Sequence, residues 1–104
     1  MQNVVYLGRD NPIIITFSFT GEFAADGLNN FDDLQIGIGG EAYTLLTTPN
    51  SVVVQSDTEL RIFIGTVTSL EAGAYDIQIT GINTTYDDGY VLDGRKLGKV
   101  VVKD

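Results

Sequence analysis

The stretch Leu70-Glu71-Ala72-Gly73-Ala74-Tyr75-Asp76-Ile77-Gln78-Ile79-Thr80 holds two signals in a short span. From Tyr75 onward the apolar residues Tyr75, Ile77 and Ile79 alternate with Asp76, Gln78 and Thr80. A period of two sends one row of side chains into a core and the other toward solvent, which is a strand of an antiparallel sheet. Just before the alternation, Glu71, Gly73 and Tyr75 set an acid, a small residue and a tyrosine at alternate positions.

Outward from that segment the same period recurs. Ile13, Ile15, Phe17 and Phe19 alternate with Ile14, Thr16, Ser18 and Thr20, while Leu34, Ile36 and Ile38 alternate with Gln35, Gly37 and Gly39. Leu60, Ile62 and Ile64 do so with Arg61 and Phe63. Val4 to Leu7, Ala42 to Leu46, Ser51 to Gln55 and Lys99 to Lys103 are shorter windows rich in β-branched or aromatic residues, and read as further strands. Gly39-Gly40 reads as a two-residue hairpin turn, because glycine supplies the positive φ such turns need. No window fits a helix of stable length: in Phe23 to Asn30, Gly27 and Asn29-Asn30 stop any turn that starts. Seven to nine short strands with turn signals every 8–12 residues or so predict an all-β, antiparallel sandwich.

The Glu71, Gly73, Tyr75 spacing resembles the tyrosine corner of immunoglobulin-like domains. There the tyrosine hydroxyl bonds back to main chain a few residues upstream and locks the turn into a central strand. Leu70, Glu71, Gly73 and Tyr75 are therefore a structural set, and Ile77 stands where antibody domains place a disulfide cysteine. With no tryptophan in the chain, Ile36 or Ile38 must fill the middle of the core. The expectation is one immunoglobulin-like domain over residues 1–104, with Ile15, Ile36, Ile62 and Ile77 in a common interior. At this length a chain buries about two thirds of its unfolded surface, enough for a core without staples.

The inventory narrows the chemistry. The 104 residues include neither His nor Cys, which removes Ser-His-Asp and Cys-His catalysis, disulfides, thiolate metal sites and imidazole switches. No catalytic or cofactor-binding position is expected, and the chain is read as a non-enzyme. The beginning Met1-Gln2-Asn3-Val4 carries no secretory pattern, so folding in a reducing cytoplasm is expected. The sequon Asn83-Thr84-Thr85 has meaning only in a secreted chain. Gly37-Ile38-Gly39-Gly40 lacks the lysine and helix of a phosphate loop and reads as a turn.

A net charge of −8 argues against a nucleic-acid partner, and no membrane-spanning run is present in the sequence. The charge is polarised, for no base lies between Arg9 and Arg61, whereas Arg95, Lys96, Lys99 and Lys103 cluster near the end. Those four form a candidate basic docking end for an acidic neighbour; the plainer reading is solvation and guarding of an edge strand. Asp32-Asp33, Asp87-Asp88-Gly89 and Asp93 are checked for calcium, which wants six to eight oxygens, but their spacing matches no calcium loop and turn aspartates commonly cap backbone. A carboxylate pair about 5–10 Å apart for sugar hydrolysis carries no specificity in so acidic a chain. The best binding candidate is the segment Gly81 to Leu97, with Tyr86, Asp87, Asp88 and Tyr90 as contact residues. Its alternative is that Tyr90-Val91-Leu92 simply begins the last strand.

Val5-Tyr6-Leu7-Gly8-Arg9-Asp10-Asn11 leading into Pro12 to Phe19, then Asp33-Leu34-Gln35-Ile36 and Leu70 to Ile79, resembles a group of immunoglobulin-like structural proteins of tailed bacteriophages. They serve as tail, baseplate or capsid-surface components. The resemblance implies a virion protein without catalytic residues, folded in the host cytoplasm, whose partners are other virion proteins and copies of itself. A ligand-binding module, for carbohydrate or a host receptor, is the alternative, with Tyr86, Tyr90, Phe23 or Phe31 as its aromatic platform.

Overall fold

The computed structural model describes residues 3–92 and 98–104. Nine strands are present among them: β1 (Asn3–Tyr6), β2 (Ile13–Thr16), β3 (Asp33–Ile38), β4 (Glu41–Thr44), β5 (Val52–Val54), β6 (Glu59–Ile62), β7 (Gly73–Ile82), β8 (Tyr90–Val91) and β9 (Lys99–Lys103). The larger sheet runs β1-β9-β7-β3-β4, with β8 also on β7, and the smaller runs β2-β6-β5. In immunoglobulin-like domains the G-F-C-C′ and B-E-D strands occupy these same positions, β9-β7-β3-β4 matching the first set and β2-β6-β5 the second. The chain is an all-β, immunoglobulin-like sandwich.

Alternation decides which residues are inside. Along β3, Leu34, Ile36 and Ile38 are fully buried while Gln35 faces water, and β7 buries Ile77 and Ile79 in register opposite Ile38 and Ile36. Ile13 and Ile15 of β2 meet Ile62 and Leu60 of β6. Ile15, Ile36, Ile62 and Ile77 share one apolar cluster that seals the two sheets together. The alternation of β2 continues beyond its last bridge, since Phe17 is buried and its N–H donates to the Thr58 carbonyl at 2.8 Å.

One pairing departs from the antiparallel expectation: β1 lies parallel to β9, from Asn3 opposite Val100 to Tyr6 opposite Lys103. The next strand, β2, belongs to the other sheet, so β1 must deliver the chain to the end of the sandwich where β2 begins, and that fixes its direction. The segment from Phe23 to Asn30 forms more local structure than a single turn. A 3-10 turn at Gly21–Phe23 leads into it, and a second at Gly27–Asn30 runs straight over the residues expected to stop one.

The hairpin between β3 and β4 turns on Gly39 and Gly40, both at positive φ. Gly39 is needed twice, because a Cβ there would lie 2.5 Å from the Tyr75 ring. Tyr75 in turn donates its hydroxyl to the Glu71 carbonyl at 2.7 Å, the bond that defines a tyrosine corner. Leu70 packs on the core beside it.

A candidate contact surface at one end of the sandwich

Three connections meet where β2 leaves the smaller sheet and β7 ends: residues 17–32, 55–58 and 83–89. Backbone and amide bonds hold them as one unit. Leu28 N–H donates to the Asp57 carbonyl at 2.7 Å, and Asp32 N–H to the Ile82 carbonyl at 2.8 Å. Asn30 Nδ2 donates to the Gly27 carbonyl at 2.9 Å. Asn83 is the central clamp: its Nδ2 donates to the Asn30 carbonyl at 3.0 Å, and its Oδ1 accepts from Thr85 N–H at 2.9 Å and Tyr86 N–H at 2.7 Å. An asparagine that caps its own turn in this way has its amide nitrogen engaged, so in this fold the sequon residue is a structural clamp.

Aromatic rings fill the space under that clamp. Phe23 contacts Phe31 at 5.1 Å between centroids, Tyr86 at 5.9 Å and Tyr90 at 5.0 Å, and Tyr86 meets Tyr90 edge-on at 5.0 Å. Such tilted and edge-on pairs are worth about 0.5–1.5 kcal/mol beyond burial. Phe23 and Phe31 are buried, whereas Tyr90 is 39% exposed. This corrects the platform expected from sequence, because only the two tyrosines reach the surface; the phenylalanines serve as its floor. Gly81 permits the arrangement, since a Cβ there would come within 2.5 Å of the Phe31 ring.

The Tyr86 hydroxyl donates to the Glu22 carboxylate, joining the 83–89 loop to the first 3-10 turn. That bond is the main reason the Tyr86 phenol is pushed above its ordinary pKa, with desolvation adding to it. Asp87 and Asp88 stand exposed at the loop tip. Tyr86, Asp87, Asp88 and Tyr90 are thus brought together, and Tyr90-Val91 also forms the two-residue strand β8, pairing with Gly81 and Thr80 of β7. A shallow groove of about 170 Å³ lies beside Tyr90, between Phe17-Ser18-Phe19-Thr20 and Val91-Leu92.

The described aspartates do not converge on one position. Among the described residues no three acidic side chains converge on a metal position. Asp33 instead spends Oδ1 on the N–H groups of Leu34 at 2.9 Å and Leu46 at 3.1 Å. Asp93 lies outside the described residues.

The basic end is only partly in view. Arg95 and Lys96 fall outside the described residues. Lys99 pairs with Asp76 across β9 and β7, and Lys103 is exposed at the end of β9 opposite Tyr6. The exposed Lys99–Asp76 pair contributes little to stability.

The strongest polar cluster lies at the opposite end. Glu41, first residue of β4, receives the Tyr43 hydroxyl, the Thr68 hydroxyl at 2.6 Å, and both the hydroxyl and the N–H of Ser69. These bonds, Ser69 first and then Thr68 and Tyr43, lower the Glu41 pKa to about 2. Burial, and then the Glu41 bond, raise Tyr43 to about 12. Sequence reasoning passed over Glu41 because two of its three hydroxyl donors lie 27 and 28 residues away, beyond any local motif.

No family model matches the chain, and no curated protein or solved structure matches it either.

Proposed function

We propose that this chain is a non-enzymatic structural protein, a module that joins or decorates a larger assembly, and that the assembly is the virion of a tailed bacteriophage. Sandwiches of this kind host many functions, so the reading has to rest on surface features. The observation that carries it is the clamped end. Asn83, Asn30, Glu22 and Asp57 tie three connections into a preformed surface bearing Tyr86, Tyr90 and exposed carboxylates. Polar groups that could have faced a cleft are spent on holding loops, and a preorganised surface binds without an ordering cost. The virion as the setting is supported by the sequence resemblance at Val5 to Phe19, Asp33 to Ile36 and Leu70 to Ile79. Its partners in this reading are other virion proteins and further copies of the chain.

Mass spectrometry and cryo-electron microscopy of purified virions test the proposal. The chain is expected at a fixed copy number, with the Tyr86–Tyr90 end in contact with a neighbour. A chain recovered only free in the lysate would overturn it.

A carbohydrate-binding module is the second reading, favoured by the exposed Tyr90 beside the groove. Burial of Phe23 and Phe31 leaves it little flat aromatic surface. Specific glycan-array binding that is lost in Tyr90→Ala would move the assignment to it.

A further inference from the structure

The smaller sheet ends at β2, and among the described residues no strand pairs with its outer margin. The hydrogen-bonding phase of that margin follows from one bond. Phe17 N–H points to Thr58 on the β6 side, so by the two-residue period Ile13 and Ile15 also face β6, while the N–H and C=O groups of Ile14, Thr16 and Ser18 point outward. Pro12 has no N–H and closes that row at one end.

Natural edges are guarded by charge, brevity or cover. Two other margins here follow the rule: β4 opens on Glu41, and β5 is three residues long. The β2 margin does not. From Asn11 to Gly21 there is no charged residue, in a chain of net charge −8. Ile14 is 48% exposed on β2, and Tyr90 and Val91 are exposed across the groove from Phe17 to Thr20. Ile14 is thus an exposed apolar side chain on β2 itself, and Tyr90 and Val91 are two more beside the continuation of that strand.

We propose that the β2 margin is a strand-pairing surface and that its occupant is a second copy of this chain, docked β2 to β2 in antiparallel sense. This rests on the assembly reading above and names a partner and a surface for it. A second copy carries the same charge of −8 and repels wherever carboxylates meet, but the charge-free run Asn11 to Gly21 lets two backbones approach here, and its outward groups at Ile14, Thr16 and Ser18 are self-complementary about Thr16. Symmetry supplies the register. A twofold axis through Thr16 sets Thr16 against Thr16 and Ile14 against Ser18 of the other copy, each pair exchanging two backbone bonds, and converts two three-stranded sheets into one continuous sheet.

Sedimentation velocity over a concentration series tests this on the whole chain. The wild type is expected to form a dimer at concentrations approaching about 1 mM, where affinities of a few kcal/mol are populated. Ile14→Lys places a charge on the exposed face, and Thr16→Pro removes an outward N–H that β6 does not use. Each is expected to weaken dimerisation about tenfold or more, the equivalent of roughly 1.4 kcal/mol, with an unchanged circular dichroism spectrum. Val67→Lys, on an exposed residue away from the margin, is expected to leave the dimer intact. Should either margin variant fail to fold, Thr16→Cys gives an independent readout. The chain has no other cysteine, and a short thiol crosslinker is expected to join two copies through that position. A wild type that stays monomeric throughout overturns the pairing, as does a dimer that survives both folded variants or a Thr16→Cys protein that does not crosslink. None of those results bears on the chain's presence in purified virions, so pairing and virion membership fail separately.

Discussion

Glu41→Gln probes how far one surface carboxylate holds this sandwich closed. Three hydroxyls and one N–H converge on the Glu41 carboxylate, and three of those four donors belong to Thr68 and Ser69 in the connection that leads to β7. A hydrogen bond to a charged acceptor is worth about 1.5–3 kcal/mol where protected, and an uncharged amide keeps part of it. Solvent screening at this surface position brings the expected loss to about 2 kcal/mol in total. For a domain near 100 residues that is a melting point lower by about 8 °C at neutral pH. The sign with pH follows from the lowered pKa. A carboxylate with a folded pKa of about 2 and an ordinary value of 4.5 contributes its full stability above the ordinary value, and the contribution is lost as pH falls toward 2. The melting-point gap between wild type and Glu41→Gln is therefore expected to be open at pH 7, to shrink below pH 4.5 and to close near pH 2. Differential scanning calorimetry of both proteins across that range measures it. A gap absent at pH 7, or one that stays constant down to pH 2, would refute the reasoning.

The remaining predictions concern the corner and the clamped end. Tyr75→Phe removes the 2.7 Å bond to the Glu71 carbonyl and is expected to cost about 1 kcal/mol, read as a melting point lower by about 4 °C; an unchanged melting curve means the bond holds nothing. Gly81→Ala pushes a Cβ into the Phe31 ring and is expected to destabilise by about 1–3 kcal/mol in chemical denaturation, with a change in tyrosine fluorescence as the ring cluster shifts. Glu22→Gln is expected to lower the Tyr86 phenol pKa toward the ordinary tyrosine range in a spectrophotometric titration. Because Tyr43 is raised by burial and then by a different carboxylate, its titration is expected to stay where it is in that variant.

How much of this was legible in the sequence depended on the range of the interaction. Strand identity rests on neighbours two residues apart, so β3, β6 and β7 could be placed from alternation, and the glycine pair at 39–40 marked its hairpin. The Tyr75 to Glu71 bond spans four residues and left a spacing to read. Interactions formed only after the sheets have closed left no such trace. Glu41 with Thr68 and Ser69, Glu22 with Tyr86, and Asn83 with Asn30 join residues between 27 and 64 positions apart, brought together by topology and by no local pattern. Parallel β1 belongs to the same class, for its four residues read equally well in either direction.

That division bears on where partner contacts can lie. A loop loosely attached to a sandwich would offer an adaptable surface and would lose freedom on binding. Here the long-range bonds invisible in sequence are those that fix the loops, so the Tyr86–Tyr90 end holds its shape before any partner arrives. The β2 margin is the opposite kind of surface, with its pairing groups already aligned by β6 and open on the far side. A partner at the clamped end must match a fixed arrangement of rings and carboxylates, whereas a partner at the margin need only bring an extended, uncharged backbone. In the proposed assembly the first demand selects one neighbour, and the second is one that the β2 strand of another copy would meet.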